Sequence, residues 1–147
     1  MKKILFVCLG NICRSVMAEY MMKDYCESHN ITDVFIDSAG VSSEEAGNPI
    51  YPPAKRELIK NGIKIGNHKA RKIEAQDYQK FDLILCAEDF HVGRAKMIFG
   101  SDPQNKIKRM LDFTDTPGNI ADPWYSGDFS LTFSQLSAVC RGLEKYL

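Results

Sequence analysis

The feature that most constrains this chain lies near its N-terminus, where an apolar run, a short loop and a helical segment follow one another. Residues 2–7 begin with two lysines and continue as an apolar run. Residues 16–26 carry apolar side chains at the spacing of an amphipathic helix. The loop between them, residues 8–15, reads Cys-Leu-Gly-Asn-Ile-Cys-Arg-Ser. A tight turn from strand to helix directs backbone N–H groups and a helix N-terminus towards one point, which predicts an anion site.

Three side chains of this loop have the chemistry for attack on phosphorus. Arg14 presents a planar fork of donors that suits two phosphoryl oxygens. Cys8 is expected at the floor of the ring of N–H groups, where the same dipoles stabilise its thiolate and make it a nucleophile. Ser15 can donate a hydrogen bond to that thiolate. The loop is therefore predicted to bind phosphate or a similar oxyanion next to a reactive sulfur.

The remaining loop residues are expected to shape the backbone around the anion. Gly10 permits backbone angles that are closed to other residues. Asn11 tolerates left-handed geometry and can brace the turn with its side-chain amide. The predicted phosphate-binding residues are Leu9, Gly10, Asn11, Ile12, Cys13, Arg14 and Ser15.

Two motifs together resemble a known family. The nonapeptide at residues 7–15, Val-Cys-Leu-Gly-Asn-Ile-Cys-Arg-Ser, and the Asp-Pro-Trp-Tyr at residues 122–125 are similar to those of the low molecular weight protein tyrosine phosphatases. The resemblance covers nearly the whole chain, and the full nonapeptide is far more specific than a bare Cys-x5-Arg. It implies a small α/β fold and hydrolysis of phosphotyrosine in proteins through a cysteinyl-phosphate, with neither metal nor cofactor.

The resemblance also assigns roles to the second motif. Asp122 matches the family's general acid, which protonates the leaving oxygen and then activates water. Pro123 fixes its own φ and biases Asp122 towards extended geometry, which would hold the carboxyl in one direction. Trp124 and Tyr125 match the wall of a cleft that grips an aromatic ring and keeps the shorter phosphoserine away from the thiolate. The alternative for Trp124 is a purely structural place in the core.

Other positions match the family or depart from it. Ser38 and His68 match residues that hydrogen-bond to the loop asparagine, and Glu88 falls where the family commonly has an aspartate behind that histidine. Glu44 stands where an aromatic residue usually lies at the rim of the cleft, and a carboxylate there would disfavour acidic peptides. Val16 replaces the usual proline, which removes no catalytic group. Cys8 and Cys13 match a pair that forms a reversible disulfide in some family members.

The rest of the chain predicts how this loop is supported. Apolar runs predict further strands at residues 33–37, 81–86 and 106–111, and a strand, crossover helix and strand near the N-terminus should run parallel. Helices are predicted at residues 54–60, 73–79, 87–99 and 129–147. We expect one domain over residues 1–147, a three-layer αβα fold with a four-stranded parallel sheet. The phosphatase loop lies between the first strand and the first helix, at the carboxyl ends of the strands.

Composition and charge limit the partners of this chain. Lys plus Arg and Asp plus Glu both number 19, so nothing indicates a nucleic-acid partner. No stretch approaches the roughly 20 apolar residues of a membrane helix, and the N-terminal run is too short for an export signal, so we expect a cytoplasmic protein without membrane insertion. Five scattered cysteines argue against a secreted disulfide framework. The cysteine and histidine spacings predict no metal site.

Three other interpretations share part of the pattern. Thioredoxin-coupled arsenate reductases share the fold and loop but need two further cysteines on one mobile segment, and Cys86 stands alone in its region. Protein-arginine phosphatases usually have threonine at the position of Ile12, so isoleucine favours phosphotyrosine. A non-catalytic phosphotyrosine-binding module would be indicated by loss of Cys8, Arg14 or Asp122, and all three are present.

Overall fold

Four short strands form a single parallel sheet, as the sequence predicts. A computed structural model describes the chain from residue 1 to residue 147. The strands are β1 (Lys2–Cys8), β2 (Val34–Gly40), β3 (Leu83–Cys86) and β4 (Ile107–Arg109). Their order across the sheet is β2-β1-β3-β4, so β1 is an inner strand and ends between the carboxyl ends of β2 and β3.

Six α-helices accompany the sheet. They are α1 (Arg14–Ser28), α2 (Pro52–Lys60), α3 (Asp77–Lys80), α4 (Asp89–Phe99), α5 (Pro123–Ser126) and α6 (Phe129–Leu143). Short 3-10 turns at Met110–Phe113 and Glu144–Tyr146 follow β4 and α6, so the last helix ends earlier than its apolar spacing predicts. None of the helices has both the length and the apolar character needed to cross a bilayer.

The alternation of side chains along β1 divides the core into two layers. Ile4, Phe6 and Cys8 belong to the larger apolar cluster, which contains buried residues of α1, α2 and α6. Leu5 and Val7 belong to the smaller cluster, which includes residues of α3 and α4. Successive side chains of a strand point to opposite faces, so the register of β1 places Cys8 on the side of α1. The predicted three-layer αβα architecture is confirmed.

Helix α1 is more buried than its sequence pattern predicts. The spacing predicts one apolar stripe, but every residue from 14 to 22 is buried. The reason is its position, because α1 contacts β1, β2, α2 and α6. The polar residues Arg14, Ser15 and Glu19 are therefore enclosed and need hydrogen-bond partners within the protein.

The predicted helix at residues 73–79 begins only at Asp77. Lys72 and Ile73 pair with the end of β2, and residues 75–76 form a turn that leads into the helix. Gly40 forms an isolated parallel bridge with Lys72, and its carbonyl accepts a hydrogen bond from the Ile73 N–H at 2.8 Å. A long-range pairing thus replaces the first turns of the expected helix.

The apolar pattern does not predict the short helix α5. Its start is set by a proline and a capping side chain. Pro123 occupies its first position, where a missing N–H has no consequence. The Asp122 carboxylate accepts a hydrogen bond from the Trp124 N–H at 3.0 Å, as an N-cap residue does. The backbone of Asp122 is extended, with φ −76° and ψ 112°, as the following proline favours.

Candidate active site

The loop between β1 and α1 closes tightly against the end of β2. Val41 and Ser42 donate backbone hydrogen bonds to the carbonyls of Cys8 and Leu9, each at 3.0 Å. A Cβ atom on Gly40 would lie 2.5 Å from the Leu9 carbonyl oxygen. Glycine at position 40 is therefore required for this close approach.

The backbone N–H groups of residues 9–13 donate no hydrogen bond to any backbone carbonyl. The first helical bond of α1 runs from the Met17 N–H to the Cys13 carbonyl, so the amides that open the helix also lack helical acceptors. The loop residues Leu9, Gly10, Ile12 and Cys13 line one cleft together with Cys8 and Arg14. Free amides and a helix N-terminus at one cleft favour the binding of an anion.

The left-handed residue of the loop is Asn11. Its φ is 61°, a region that asparagine tolerates better than most residues. The expectation that Gly10 supplies the unusual backbone angles is wrong, because Gly10 is not among the residues with positive φ. A Cβ atom at position 10 would lie 3.1 Å from Cγ of Glu45, so this glycine makes room for the neighbouring loop instead.

Asn11 is fully buried and connects four parts of the chain. Its Oδ1 accepts a hydrogen bond from the Arg71 backbone N–H at 3.0 Å. Its Nδ2 donates to Ser15 Oγ at 2.8 Å and to Ser38 Oγ at 3.0 Å. His68 Nε2 donates to the Asn11 backbone carbonyl at 2.6 Å. The structure thus brings Ser38 and His68 together on the loop asparagine.

Cys8 ends β1 and is almost completely buried. Its Sγ lies 2.9 Å from Ser15 Oγ. Burial, followed by the charge of Cys8, raises the pKa of Cys13 to about 12. Burial also raises the pKa of Cys86, on the neighbouring strand. Cys13 and Cys86 therefore remain protonated thiols at neutral pH, and all five cysteines of the chain are unpaired.

The guanidinium of Arg14 is held by partners from two distant segments, and only 2% of the residue is exposed. Its Nη1 donates to the Glu88 carboxylate at 2.5 Å and to the backbone carbonyl of Ile120 at 2.6 Å. Its Nη2 lies 3.4 Å from Oδ2 of Asp122. The arginine and the proposed acid are therefore neighbours before any ligand binds.

Glu88 does not stand behind His68, as the resemblance suggests, and binds Arg14 instead. It is the N-cap residue of α4 and forms a capping box with His91, a residue that the sequence analysis does not select. His91 Nδ1 accepts a hydrogen bond from the Glu88 N–H at 3.2 Å. Burial, followed by the nearby charge of Arg14, lowers the pKa of His91 to about 4. His91 is therefore neutral near pH 7 and able to accept that hydrogen bond.

Two exposed aromatic residues line the mouth of the cleft. Trp124 is 50% exposed and Tyr125 83% exposed, so Trp124 is not a core residue. The indole of Trp124 packs on Tyr51, with 4.6 Å between ring centroids, and Tyr51 in turn lies 6.1 Å from Phe129. The core thus supports the indole from one side and leaves its other side accessible.

Carboxylates also line the cleft. Glu44 is exposed and Glu45 is half-buried, and the Glu45 carboxylate accepts a hydrogen bond from Asn48 Nδ2 at 2.7 Å. Asp122 lines the same cleft. No group of three or more His, Cys, Asp or Glu residues is arranged to hold a metal ion.

Comparison with known proteins identifies the family. The family model described as low molecular weight phosphotyrosine protein phosphatase matches residues 3–147. The chain belongs to this family. It is 32% identical over 146 residues to the low molecular weight protein-tyrosine-phosphatase YfkJ of Bacillus subtilis, with 97% of this chain and 94% of the relative covered. The crystal structure of YfkJ has a TM-score of 0.94 to this fold, covering 99% of this chain and 94% of its own.

Two further relatives show the range of this phosphatase family. The low molecular weight phosphotyrosine protein phosphatase of Rattus norvegicus is 32% identical over 162 residues, covering 98% of this chain and 95% of the relative. A Drosophila arginine phosphatase has a TM-score of 0.90 at 29% identity, covering 99% of this chain and 97% of its own. Proteins with this fold are therefore named for two different phosphorylated residues, tyrosine and arginine.

The chemistry of a cysteine-dependent phosphatase needs a nucleophile, donors for the phosphoryl oxygens and a proton source. The cleft of this family member holds a thiol, free backbone amides, a guanidinium and a carboxylate. The sequence analysis missed three groups around the site. The Arg71 N–H binds the loop asparagine, the Ile120 carbonyl binds the Arg14 guanidinium, and His91 accepts from the Glu88 N–H. Glu88 was named as a family position, but its contact with Arg14 was not predicted. The signal for that contact is its place after the carboxyl end of a strand next to β1.

Proposed function

We propose that this member of the family hydrolyses phosphotyrosine in proteins and peptides, with Cys8 as the nucleophile. The observation that carries the proposal is the meeting of Cys8, Arg14 and Asp122 at one cleft whose loop amides have no backbone acceptors. Ser15 Oγ, 2.9 Å from the sulfur, supplies a hydrogen bond to the thiolate. The amides of the loop residues and the Arg14 guanidinium bind the three non-bridging oxygens.

In the first step the Cys8 thiolate attacks phosphorus in line with the leaving tyrosine oxygen. The S–P bond forms as the P–O bond to tyrosine breaks, and Asp122 transfers its proton to the departing phenolate oxygen. The developing charge on the equatorial oxygens is met by fixed donors, so little reorganisation is needed.

In the second step water attacks the cysteinyl-phosphate from the side that tyrosine has left. Asp122, now a carboxylate, accepts the proton of this water, and the P–S bond breaks to release inorganic phosphate and the Cys8 thiolate. The backbone position of Asp122 suits both steps, because its extended geometry and its capping bond to Trp124 fix the direction of the carboxyl.

The mouth of the cleft is proposed to select the phosphorylated residue. Trp124 and Tyr125 flank the path to Cys8, and an aromatic ring gains contact area between such side chains. Phosphoserine is too short to present its phosphate to the sulfur while filling this space. Glu44 lines the same cleft and is proposed to act on the residues that flank phosphotyrosine.

We also propose that residues 1–147 act as one domain in the cytoplasm, without metal, nucleic-acid partner or membrane insertion. The contacts of α6 with α1 join the last helix to the first, which supports a single unit. Five unpaired cysteines suit a reducing compartment.

The test is a panel of phosphotyrosine, phosphoserine and phosphoarginine peptides, incubated in EDTA with the wild type, Cys8→Ser and the control Cys140→Ser. Cys140 is a buried cysteine of α6, away from the cleft. We expect phosphotyrosine hydrolysis that survives EDTA, disappears in Cys8→Ser and persists in Cys140→Ser. Hydrolysis of phosphoarginine alone would assign the chain to the arginine-directed phosphatases, and dependence on a metal would refute the mechanism.

A further inference from the structure

Glu19 is a buried carboxylate that the proposed reaction does not use. It lies on α1, is 6% exposed and does not line the cleft. Its Oε2 accepts a hydrogen bond from Lys23 Nζ at 2.6 Å, and its Oε1 accepts one from Ser38 Oγ at 2.5 Å. A buried carboxylate needs such partners, and the contact with Ser38 leads towards the phosphate loop.

The donor and acceptor of each hydrogen bond beyond Ser38 can be assigned in only one consistent way, and this assignment gives the chain of bonds a direction. A carboxylate accepts and cannot donate, so the Ser38 hydroxyl proton points to Glu19. Ser38 Oγ must then act as acceptor for Asn11 Nδ2, at 3.0 Å. The second proton of Asn11 Nδ2 points to Ser15 Oγ, at 2.8 Å, and this leaves the Ser15 proton free to point at Cys8 Sγ, at 2.9 Å.

The opposite direction becomes available if Glu19 ceases to accept. The Ser38 proton then needs another acceptor, and the neighbouring one is the Asn11 amide with its oxygen turned towards Ser38. In that orientation the amide oxygen also faces Ser15 and attracts its proton away from Cys8. In the structure the Arg71 N–H donates to Asn11 Oδ1, and this hydrogen bond opposes the rotation. After the rotation the Arg71 N–H would face the amide NH2 group and lose its acceptor.

We propose that Glu19 is a positioning residue which fixes the direction of this chain, so that Ser15 donates its proton to the Cys8 thiolate. The inference rests on the proposed role of Cys8 as nucleophile. Glu19 acts through Ser38 and Asn11, and the Lys23 ammonium, 2.6 Å away, holds the carboxylate in place. The other charged or titratable groups near Cys8 are Arg14, Cys13, Glu44, Glu45 and Asp122 of the cleft and Cys86 of β3. None of them is hydrogen-bonded to Glu19, whose partners are Lys23 and Ser38.

The test follows the pH dependence of Cys8 alkylation by iodoacetamide, mapped to Cys8 by mass spectrometry. In Glu19→Gln the Lys23 ammonium takes the amide oxygen, so the NH2 group faces Ser38 and the carboxylate acceptor is lost. We expect the midpoint of alkylation to rise by about one pH unit, which corresponds to a roughly tenfold change in the proton affinity of the sulfur. The matched control is Asp102→Asn, which alters a carboxylate that accepts from Tyr78 Oη at 2.6 Å far from the loop. Its midpoint should equal that of the wild type.

Two further variants separate a directional effect from a folding defect. Glu19→Gln combined with Ser38→Ala removes the hydroxyl that needs a new acceptor, so its midpoint should match that of Ser38→Ala alone. If Glu19→Gln does not fold, Glu19→Met with Lys23→Met replaces the ion pair by apolar chains and should show the raised midpoint. An unchanged midpoint in the folded Glu19 variants, or additive shifts with Ser38→Ala, would overturn the proposal. Wild type that alkylates at Cys8 but hydrolyses no phosphopeptide would refute the proposed function instead.

Discussion

The floor and the mouth of the cleft are built in different ways. On the floor, Asn11, Arg14 and Ser15 are almost completely buried, and each side chain has protein partners at hydrogen-bond distance. At the mouth, Trp124 and Tyr125 stand half or more exposed on α5, a helix of four residues. The floor is therefore set by the fold before a ligand arrives, whereas the mouth depends on few contacts.

This difference separates the reaction from the choice of substrate. Loop amides and a fixed guanidinium can bind any phosphate monoester that reaches them. The residues proposed to select the monoester lie on the exposed part of the site and are held by local capping and by one neighbouring tyrosine ring. The following predictions test how independent the two parts are.

The largest effect is expected from Asp122→Ala, at the border between floor and mouth. Loss of the proton donor should lower kcat by roughly 10²–10⁴-fold for phosphotyrosine, whose leaving oxygen is basic. An aryl phosphate with an activated leaving group should lose much less, and kcat against leaving-group basicity measures this contrast. Asp112→Ala is the control, because Asp112 pairs with Arg109 outside the cleft. Equal losses for both substrate classes would rule out Asp122 as the acid.

The next largest effect concerns the free energy of unfolding and its dependence on the protonation of His91. The unfolded chain binds a proton at His91 below its ordinary pKa of 6.5, whereas the folded chain excludes it until about pH 4. The free energy of unfolding should therefore fall as pH falls through this window, by about 3 kcal/mol at pH 4. In His91→Asn, denaturant unfolding at pH 7 and pH 4 should show a smaller difference than in the wild type. Identical pH dependence in both proteins would contradict the burial of a neutral histidine.

A smaller effect is expected at the mouth from Trp124→Ala. Removal of the indole deletes one wall of the cleft, and KM for a phosphotyrosine peptide should rise roughly three- to tenfold, as expected for one aromatic contact. Phe90→Ala is the control, since Phe90 is 57% exposed but does not line the cleft. If inhibition by inorganic phosphate weakens as much as peptide binding, the floor and the mouth are not independent.

The smallest effect is expected from the carboxylates of the mouth. Glu44 and Glu45 should make the wild type favour peptides with lysines beside phosphotyrosine over peptides with glutamates, by a few-fold in kcat/KM at low salt. The variant Glu44→Gln with Glu45→Gln should lose this preference, and so should the wild type at about 1 M salt, where the screening length is near 3 Å. Glu27→Gln changes an exposed carboxylate outside the cleft and should keep it. A preference that persists in high salt would have another origin.

The sequence predicted the parallel sheet and its three layers because the apolar runs and the βαβ spacing are local patterns with few solutions. It could not predict that residues 72 and 73 stay extended, because their partner is Gly40, far along the chain. The same limit applies to the site. Cys8 and Arg14 share one loop, whereas Glu88 reaches Arg14 only because β3 lies beside β1. The sequence analysis singled out Gly10 for its backbone angles. The structure gives a different explanation, because a side chain at this position would crowd Glu45.

The backbone of Ile120 joins two parts of the reaction that no motif connects. Ile120 lies two residues before Asp122. Its N–H donates to the Ala87 carbonyl at 2.9 Å, and its carbonyl accepts a hydrogen bond from Arg14. The segment that carries the proposed acid is thus tied at one point both to the residue that follows β3 and to Arg14. A displacement of this one peptide would therefore move the proposed acid and the guanidinium together.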